Sequence, residues 1–373
     1  MSLPHDGTNF GIGTLAEFVA QLANARRPNP SAPCRNVDAP QYIRPCFFAG
    51  QCMKRNIAYL LVVTVAQLLV LHSAHPFPER PIKLVVPSPA GSPPDMMARI
   101  VSDKVAANLG QPVIVENRPG AGGTIGAKSV LAAEPDGHTL MVGSTSNLLI
   151  APLVYKNAGY DAGTFAPIAR VSDSTEVLAV HPSVSAHSVS ELIALAKNQP
   201  GILNYGSAGI GTLPHIEGEL LKSRSAIDIR HVPYRGGGQA LTALVAGEID
   251  ILFSTLTQML PYVREDRLRG LAVTSETRSS LAPDIPTMGE SGIDGFVTTS
   301  VTFIVAPPST PRAIMQRVNE AVAGALTSPE VQQAFLRIGA EARLASPEEV
   351  ASFLAREQKR WSRIIETTGI SAD

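Results

Sequence analysis

Short apolar segments alternate with helical segments along most of this chain, and that alternation limits its fold more than any other feature. In the first set, apolar runs lie at residues 81–87, 112–116 and 138–142, with a helical run at 95–109. In the second set, apolar runs at 203–205, 229–233 and 249–253 alternate with helical runs at 214–222 and 239–246. Strands that alternate with helices form parallel sheets covered by helices. Two such sets predict an α/β protein with two Rossmann-like lobes.

Two further patterns refine the elements. Ser92 followed by Asp95 has the spacing of a capping box, so we expect the first helix to begin there. A strand is predicted at 176–181 and a helix at 188–198, between the two sets. The end of the chain has only amphipathic helical runs, at 313–326, 329–337 and 347–367, and we expect Trp361 to pack in the core.

Composition excludes several classes of function. Of 373 residues, 45% are hydrophobic and 17% charged, so the chain can bury a large core. The 31 basic and 32 acidic residues give a formal net charge of -1, so no overall field attracts nucleic acid. The three cysteines, Cys34, Cys46 and Cys52, all precede residue 53, which excludes a disulfide, a thiolate metal site or a cysteine nucleophile after it.

A segment at 53–74 has the pattern of a secretory signal peptide. Lys54 and Arg55 precede an uncharged apolar stretch at 57–71, and small residues follow near Ala74. Signal peptides begin at the initiator methionine, so we expect translation to start at Met53 and residues 1–52 to be a non-native extension. The alternative is a cytoplasmic extension ahead of an uncleaved anchor.

Several loops have the composition of an anion-binding site. In open α/β sheets, ligands bind beyond the carboxyl ends of strands, where glycines admit the ligand and helix N-termini present unpaired N–H groups. Loops at 90–92, 144–146, 207–212 and 235–237 meet that description with few charges. Gly and Ser also cap helices and close turns, so it is the convergence of several loops that favours a site.

Individual polar side chains near these loops have two interpretations each. Arg118 and Arg235 either assist a bound anion or form ordinary surface or interdomain pairs. Asp250, at the start of a strand, either orients a ligand amine or bound water or has a simple turn role. His215 is expected to make a local polar contact instead of acting as a base.

Enzyme signatures are mostly absent. The sequence contains no Gly-x-Ser-x-Gly, no His-Glu-x-x-His and no phosphate-loop lysine. Gly120, Gly122 and Gly126 resemble a dinucleotide-binding turn, but the third glycine is one position late and the expected acidic residue is lacking. We therefore predict no catalytic residues, no cofactor and no metal.

Taken together, a series of short motifs resembles the substrate-binding receptors of tripartite tricarboxylate transporters, also called Bug proteins, over about residues 77–370. The motifs are FPERPI at 77–82, PAG at 89–91, ENRPGAGG at 116–123, PDG at 135–137, NYGS at 204–207, HVPYRG at 231–236, LAVT at 271–274 and PT at 286–287. The resemblance implies a type II periplasmic binding protein fold, in which crossover strands join two lobes around a ligand cleft. It places lobe 1 at 80–178 plus 296–373 and lobe 2 at 179–295.

The resemblance also implies a ligand site. Members of the family bind small organic acids, chiefly through backbone amides of the first turn and of the second lobe's helix starts. Carried onto this sequence, the ligand-binding residues are Ala90, Gly91, Ser92, Asp95, Ser144, Ser207, Gly209, Gly211, Thr212, Tyr234, Gly236 and Asp250.

The sequence departs from the family pattern inside that site. Ser88 stands where an aromatic residue is usual, Ser92 where a glycine is usual and Pro94 where a donor-bearing residue is usual. Pro94 removes one backbone donor. Val301 and Phe303 also replace the usual Trp and Gly of the return strand. The changes at Ser88, Ser92 and Pro94 argue against the standard water-bridged dicarboxylate arrangement and predict an unusual specificity. Those at Val301 and Phe303 would alter packing at the lobe boundary.

The expected function is capture of a small carboxylate in the periplasm, by a monomer without nucleic-acid partners, for delivery to membrane transporter subunits. One alternative is a ligand sensor whose closed form docks on a receptor kinase. The other is a dinucleotide-dependent oxidoreductase using Gly120–Gly126.

Overall fold

The computed structural model describes residues 77–371. Residues 75–373 form one compact unit. The predicted extension at 1–52 and signal segment at 53–74 lie outside the described residues. Within 77–371, none of the helices combines the length and the apolar character needed to cross a bilayer.

The first set of elements forms a parallel sheet in the order β2-β1-β3. Its elements are β1 (Ile82–Val86), α1 (Pro93–Leu109), β2 (Val113–Asn117), α2 (Thr124–Leu131), β3 (Thr139–Ser144) and the short α3 (Ala151–Val154). Leu84 and Val86 belong to one buried cluster and Val85 to another. Because alternate side chains of β1 are buried on opposite faces, the sheet is covered on both sides, as the continuous apolar run IKLVV predicts.

A single long strand, β4 (Ala166–Val180), joins the two sets. Along its first half it pairs antiparallel with β9 (Thr299–Ala306), and along its second half with β7 (Ile251–Thr255) and β8 (Arg269–Val273). The strand predicted at 176–181 therefore begins ten residues earlier than expected. The reason is that β4 buries Ser172 and Ser174, which interrupt the apolar pattern ahead of the predicted strand.

The second set repeats the parallel arrangement. Its elements are α4 (Val189–Asn198), β5 (Asn204–Ser207), α5 (Leu213–Ser225), β6 (Arg230–Pro233), α6 (Gly237–Ala246), β7 (Ile251–Thr255), α7 (Leu256–Arg264) and β8 (Arg269–Val273). Strand β5 lies between β6 and β7 and is parallel to both. The sequence patterns do not predict α7.

After β9 the chain returns to the first set as helices. These elements are α8 (Arg312–Leu326), α9 (Pro329–Arg337), the two-residue β10 (Glu341–Ala342) and α10 (Pro347–Thr368). The full strand order is β2-β1-β3-β9-β4-β7-β5-β6, with β8 and β10 paired to β4. Trp361 on α10 is 1% exposed and lies in the core, as expected. The two sets and their crossover strands confirm the predicted type II fold, and the lobe boundaries at 178 and 296 stay a prediction.

Candidate ligand-binding site

The predicted loops come together from both sets. Parallel strands end at the same edge of a sheet, so the loops after β1 and β3 are neighbours, as are those after β5 and β6. A Cβ atom added to Gly236 would lie 3.0 Å from Cγ of Pro89, so the first turn contacts the β6–α6 turn. Ala90, Gly91, Ser92, Ser144, Ser207, Gly209, Gly211, Thr212, Tyr234 and Gly236 all lie on these loops or at the strand ends that precede them.

Two hydrogen bonds add to that contact between the sets. The hydroxyl of Tyr155 donates to the carbonyl oxygen of Ile210 at 3.0 Å. The N–H of Leu213, the first residue of α5, donates to Oγ of Ser146 at 3.0 Å. The described conformation therefore has the two groups of loops in contact. Sequence reasoning missed Tyr155, because no motif marks a tyrosine that reaches a distant carbonyl.

Asp95 braces the first turn. Its buried carboxylate accepts hydrogen bonds from the N–H of Gly91 at 2.8 Å, from Nδ2 of Asn117 at 2.9 Å and from Nε of Arg99 at 3.0 Å. Burial raises the pKa of Asp95, but these hydrogen bonds outweigh burial and hold the pKa below its usual value. The predicted capping box is wrong, because the carboxylate faces Gly91 and no side chain caps α1 at Ser92.

The first turn therefore keeps few free donors. The N–H of Gly91 is taken by Asp95, and that of Ser92 donates to the carbonyl of Pro89 at 3.2 Å. Oγ of Ser92 lies 2.7 Å from Oγ of Ser88, so two of the residues that depart from the family pattern bond to each other. Within the described chain the N–H of Ala90 has no hydrogen-bond partner.

The β5–α5 loop is likewise held by its own side chains. The N–H of Gly209 donates to Oγ of Ser207 at 3.0 Å, and the N–H of Gly211 donates to Nδ1 of His215 at 3.3 Å. Oγ1 of Thr212 donates to the carbonyl of Gly209 at 2.6 Å. These glycines shape the loop, and their N–H groups are not free.

Some N–H groups in the loops of the second set are free, although those of Thr212, Tyr234 and Arg235 are paired within the chain. Those of Ala208 and Ile210 make no hydrogen bond among residues 77–371. The same holds for the N–H groups at the start of α6, on Gly236, Gly237 and Gly238, since a helix leaves its first donors unpaired. A helix N-terminus also favours negative charge. These donors present a neutral, amide-lined surface suited to an anion.

Ser207 and His231 form a close pair in which the serine is buried and the histidine is half-buried. Oγ of Ser207 lies 2.7 Å from Nε2 of His231, which is a distance typical of a nucleophile and its base. Ser207 is 0% exposed, however, and its hydroxyl also contacts the carbonyl of Gly209. Burial, together with the adjacent His215 ring stacked at 4.2 Å, lowers the pKa of His231 to about 4. The pair therefore fixes the loop with a neutral imidazole.

Asp250 does not join the other predicted residues. It lies just before β7, at the edge of the sheet opposite the loops, and its carboxylate accepts from the N–H of Asn204 at 2.7 Å. Its backbone also pairs with Asn204 and His181. The structure thus gives Asp250 a role in holding strand ends together, and we remove it from the candidate site.

The two arginines differ. Arg118 pairs with Glu116 at the end of β2, the ordinary alternative considered for it. The side chain of Arg235, in the β6–α6 turn, is exposed and makes no ion pair among the described residues.

The glycine-rich turn after β2 is explained by packing. A Cβ atom at Gly126 would lie 2.7 Å from the carbonyl oxygen of Arg118, and one at Gly122 would lie 2.8 Å from the ring of Tyr155. Glycine is required at both positions without reference to any dinucleotide.

A pair of buried carboxyl groups lies beneath the crossover. Glu176 on β4 is hydrogen-bonded by Ser300, and Glu217 on α5 accepts from Oγ1 of Thr298. Burial raises the pKa of Glu176 to about 8, and burial followed by the charge of Glu176 raises the pKa of Glu217 well above its usual value. Glu176 therefore carries a proton at neutral pH, and the environment of Glu217 favours its protonated form. The Oε2 atoms of both glutamates have no hydrogen-bond partner in the described chain. The same is true of Oγ1 of Thr255, the residue that pairs with Glu176 across the sheet.

Two α/β sets joined by crossover strands, with amide-lined loops in contact between them, define a solute-binding protein. The chain matches the family described as the tripartite tricarboxylate transporter family receptor over residues 97–370. A UPF0065 protein of Bordetella pertussis is 37% identical over 311 residues, which cover 83% of this chain and 96% of that protein. This chain belongs to the tripartite tricarboxylate transporter receptor family, a family of periplasmic substrate-binding receptors and not of enzymes.

Solved structures agree with that assignment. Rpa4515 of R. palustris with adipate is 32% identical, with a TM-score of 0.76, and the match covers 79% of this chain and 99% of that one. MatC from Rhodopseudomonas palustris with bound malate is 31% identical, with a TM-score of 0.74, covering 78% of this chain and 100% of that one. The resemblance seen in the sequence motifs is confirmed.

Proposed function

We propose that this protein captures a small organic carboxylate between its two sets of loops and delivers it to the membrane subunits of a tripartite transporter. The observation that supports this most is the group of unpaired N–H groups on Ala208, Ile210 and Gly236–Gly238. Amide donors and a helix N-terminus stabilise a carboxylate without a titrating partner. The adipate and malate bound by two relatives are both dicarboxylates.

The proposed contacts differ from those predicted from sequence. Ala90, Ala208, Ile210 and the start of α6 would donate to the ligand, whereas Asp95, Ser207 and His215 would hold the loops in shape. The free donors come from both sets. One carboxylate bound to each set would favour the conformation in which the sets meet, because a ligand shifts a protein toward the state that it contacts more fully.

We further propose export through the segment at 53–74, with translation from Met53. Periplasmic receptors need an export signal, and this segment has the charge and length pattern of one. Mass spectrometry of the cellular protein tests this proposal. Peptides from before Met53 would contradict it.

A thermal-shift screen of residues 75–373 tests the binding proposal. Ligand at about 100-fold over Kd should stabilise the fold by about 2.7 kcal/mol, which a raised Tm reports. The screen should contain mono-, di- and tricarboxylates, amino acids, aromatic acids and dinucleotides. A shift with one class of acid is expected. Silence from every acid together with a shift by a dinucleotide would favour an oxidoreductase instead.

A further inference from the structure

A second concave surface lies outside the candidate ligand site. This basic groove has a volume of about 700 Å³ and runs between the carboxyl-terminal half of α5, the segment before β9 and α10. Its cationic side chains are Arg224, Arg356, Lys359, Arg360 and Arg363. Arg224 lies about 16 Å along α5 from its first residue, Leu213, so the groove is remote from the loop that precedes α5.

The groove has a strong local charge in a nearly neutral chain. None of the described residues that line it is acidic, although the whole chain has a formal net charge of -1. Of the five cations, Arg360 alone has a carboxylate partner in the described chain, Glu357 at 3.1 Å. Lys359 and Arg363 are exposed and make no ion pair among residues 77–371. The charge is therefore available to an anionic partner.

The shape of the groove favours a protruding segment over a flat surface. Leu220, Val297, Ala355 and Ile364 contribute apolar surface between the cations. Arg356, Lys359, Arg360 and Arg363 lie three and four positions apart, so they share one face of α10. From Ser352 to Ile364 the lining of α10 extends about 18 Å, roughly three helical turns. A bilayer surface cannot enter such a concavity, whereas an amphipathic helix fits one.

The two walls of the groove come from different sets of elements. Leu220 and Arg224 lie on α5 of the second set, whereas α10 follows the return strand β9. Arg360 on α10 donates to the carbonyl of Val297, and Arg224 donates to the carbonyl of Asp294. Any rotation of one set against the other changes the width of the groove. The affinity of a segment bound in the groove therefore depends on whether the two sets are in the described arrangement.

We propose that the basic groove is the docking site for an acidic, amphipathic segment of the membrane partner. This inference rests on the proposed function, because it names the surface through which the ligand-loaded receptor engages its transporter. The acidic side chains of the segment pair with the cations, and its apolar side chains cover Ala355 and Ile364.

A labelled peptide tests the docking site directly. The probe is a fluorescent helical peptide of about 14 residues, with Leu at i, i+3, i+4 and i+7 and Glu on its flanks. Residues 75–373 should bind it, more weakly as salt rises. Lys359→Glu with Arg363→Glu should weaken binding roughly tenfold or more, since two attractions become repulsions. The control, Lys197→Glu with Arg337→Glu, changes two exposed cations elsewhere by the same charge and should leave binding within about twofold.

Three results would overturn the docking site. The first is that the acidic peptide does not bind. The second is that both charge-reversal variants lose peptide affinity equally. The third is that the protein binds phosphatidylglycerol vesicles more strongly than the peptide, and the peptide does not displace it from them. The carboxylate thermal shift, measured on the same variants, separates this proposal from the proposed function. If the Lys359→Glu/Arg363→Glu variant keeps its carboxylate thermal shift and the unmodified protein does not bind the peptide, only the docking site at the groove is refuted. Peptide binding without a shift by any acid supports the groove and refutes carboxylate capture.

Discussion

Replacing Glu176 with Gln should flatten the pH dependence of stability above neutral pH. Burial raises the pKa of Glu176 to about 8, whereas a glutamate in an unfolded chain titrates near 4.3. Between those values the folded state holds more protons than the unfolded state. The free energy of unfolding therefore falls as pH rises, by about 1.4 kcal/mol per pH unit for each proton that the fold retains. This contribution is complete below about pH 4 and lost as pH rises through about 8.

His215 and His231 have the opposite effect on the pH dependence of stability, and they act at lower pH. Burial lowers the pKa of His231 to about 4, and burial also lowers the pKa of His215. The unfolded chain therefore binds more protons than the fold below about pH 6.5, and stability rises with pH there. Above about pH 7 these imidazoles are neutral in both states, so the glutamates alone determine the trend.

Urea unfolding followed by the fluorescence of Trp361, the single tryptophan, measures this directly. From about pH 7 to about pH 8, the wild-type chain should lose about 1 kcal/mol through Glu176, which is half deprotonated at the upper end, and Glu217 adds a loss of the same sign. Glu176→Gln should reduce that slope, and Glu176→Gln with Glu217→Gln should abolish it. Glu366→Gln, on an exposed position of α10, is the control. An unchanged slope in the double variant would refute the protonated buried pair.

Two further outcomes follow from the contacts of the loops. Gly236→Val should abolish the carboxylate-induced thermal shift while changing the Tm of the free protein little, because even a Cβ atom there would lie 3.0 Å from Pro89. The control is Gly238→Ala, whose Cβ meets nothing within 4 Å and which should retain the shift. Equal thermal shifts in the two variants would contradict the proposed approach of the loops. Asp95→Asn should cost about 1–3 kcal/mol near neutral pH, because Asp95 has a lowered pKa and accepts from Gly91 N–H and Arg99. That difference, measured by urea unfolding, should shrink as pH falls below about 4, and a constant difference down to about pH 3 would show that charge plays no part.

The alternating strands and helices were predictable because they depend on local patterns. The run IKLVV of β1, the turns after each strand and the amphipathic α10 need only their own sequence to be recognised. The family motifs then gave the order of the sets and the loops that carry the site. Strand β4 was predicted short because its buried Ser172 and Ser174 interrupt the apolar pattern, and its pairing with the distant strand β9 is not contained in any local pattern.

The assignment of individual donors was decided by the tertiary structure. Sequence marks Gly91, Gly209 and Gly211 as glycines in ligand loops, but it cannot show that Asp95, Ser207 and His215 accept from their N–H groups. Asp250 was predicted to belong to the site, but the parallel pairing of β5 and β7 places it at the edge of the sheet opposite the candidate-site loops. The basic groove likewise combines α5 and α10, which lie more than a hundred residues apart. Sequence therefore predicted which segments form the candidate site, and the pairing of distant segments determined which of their N–H groups remain free.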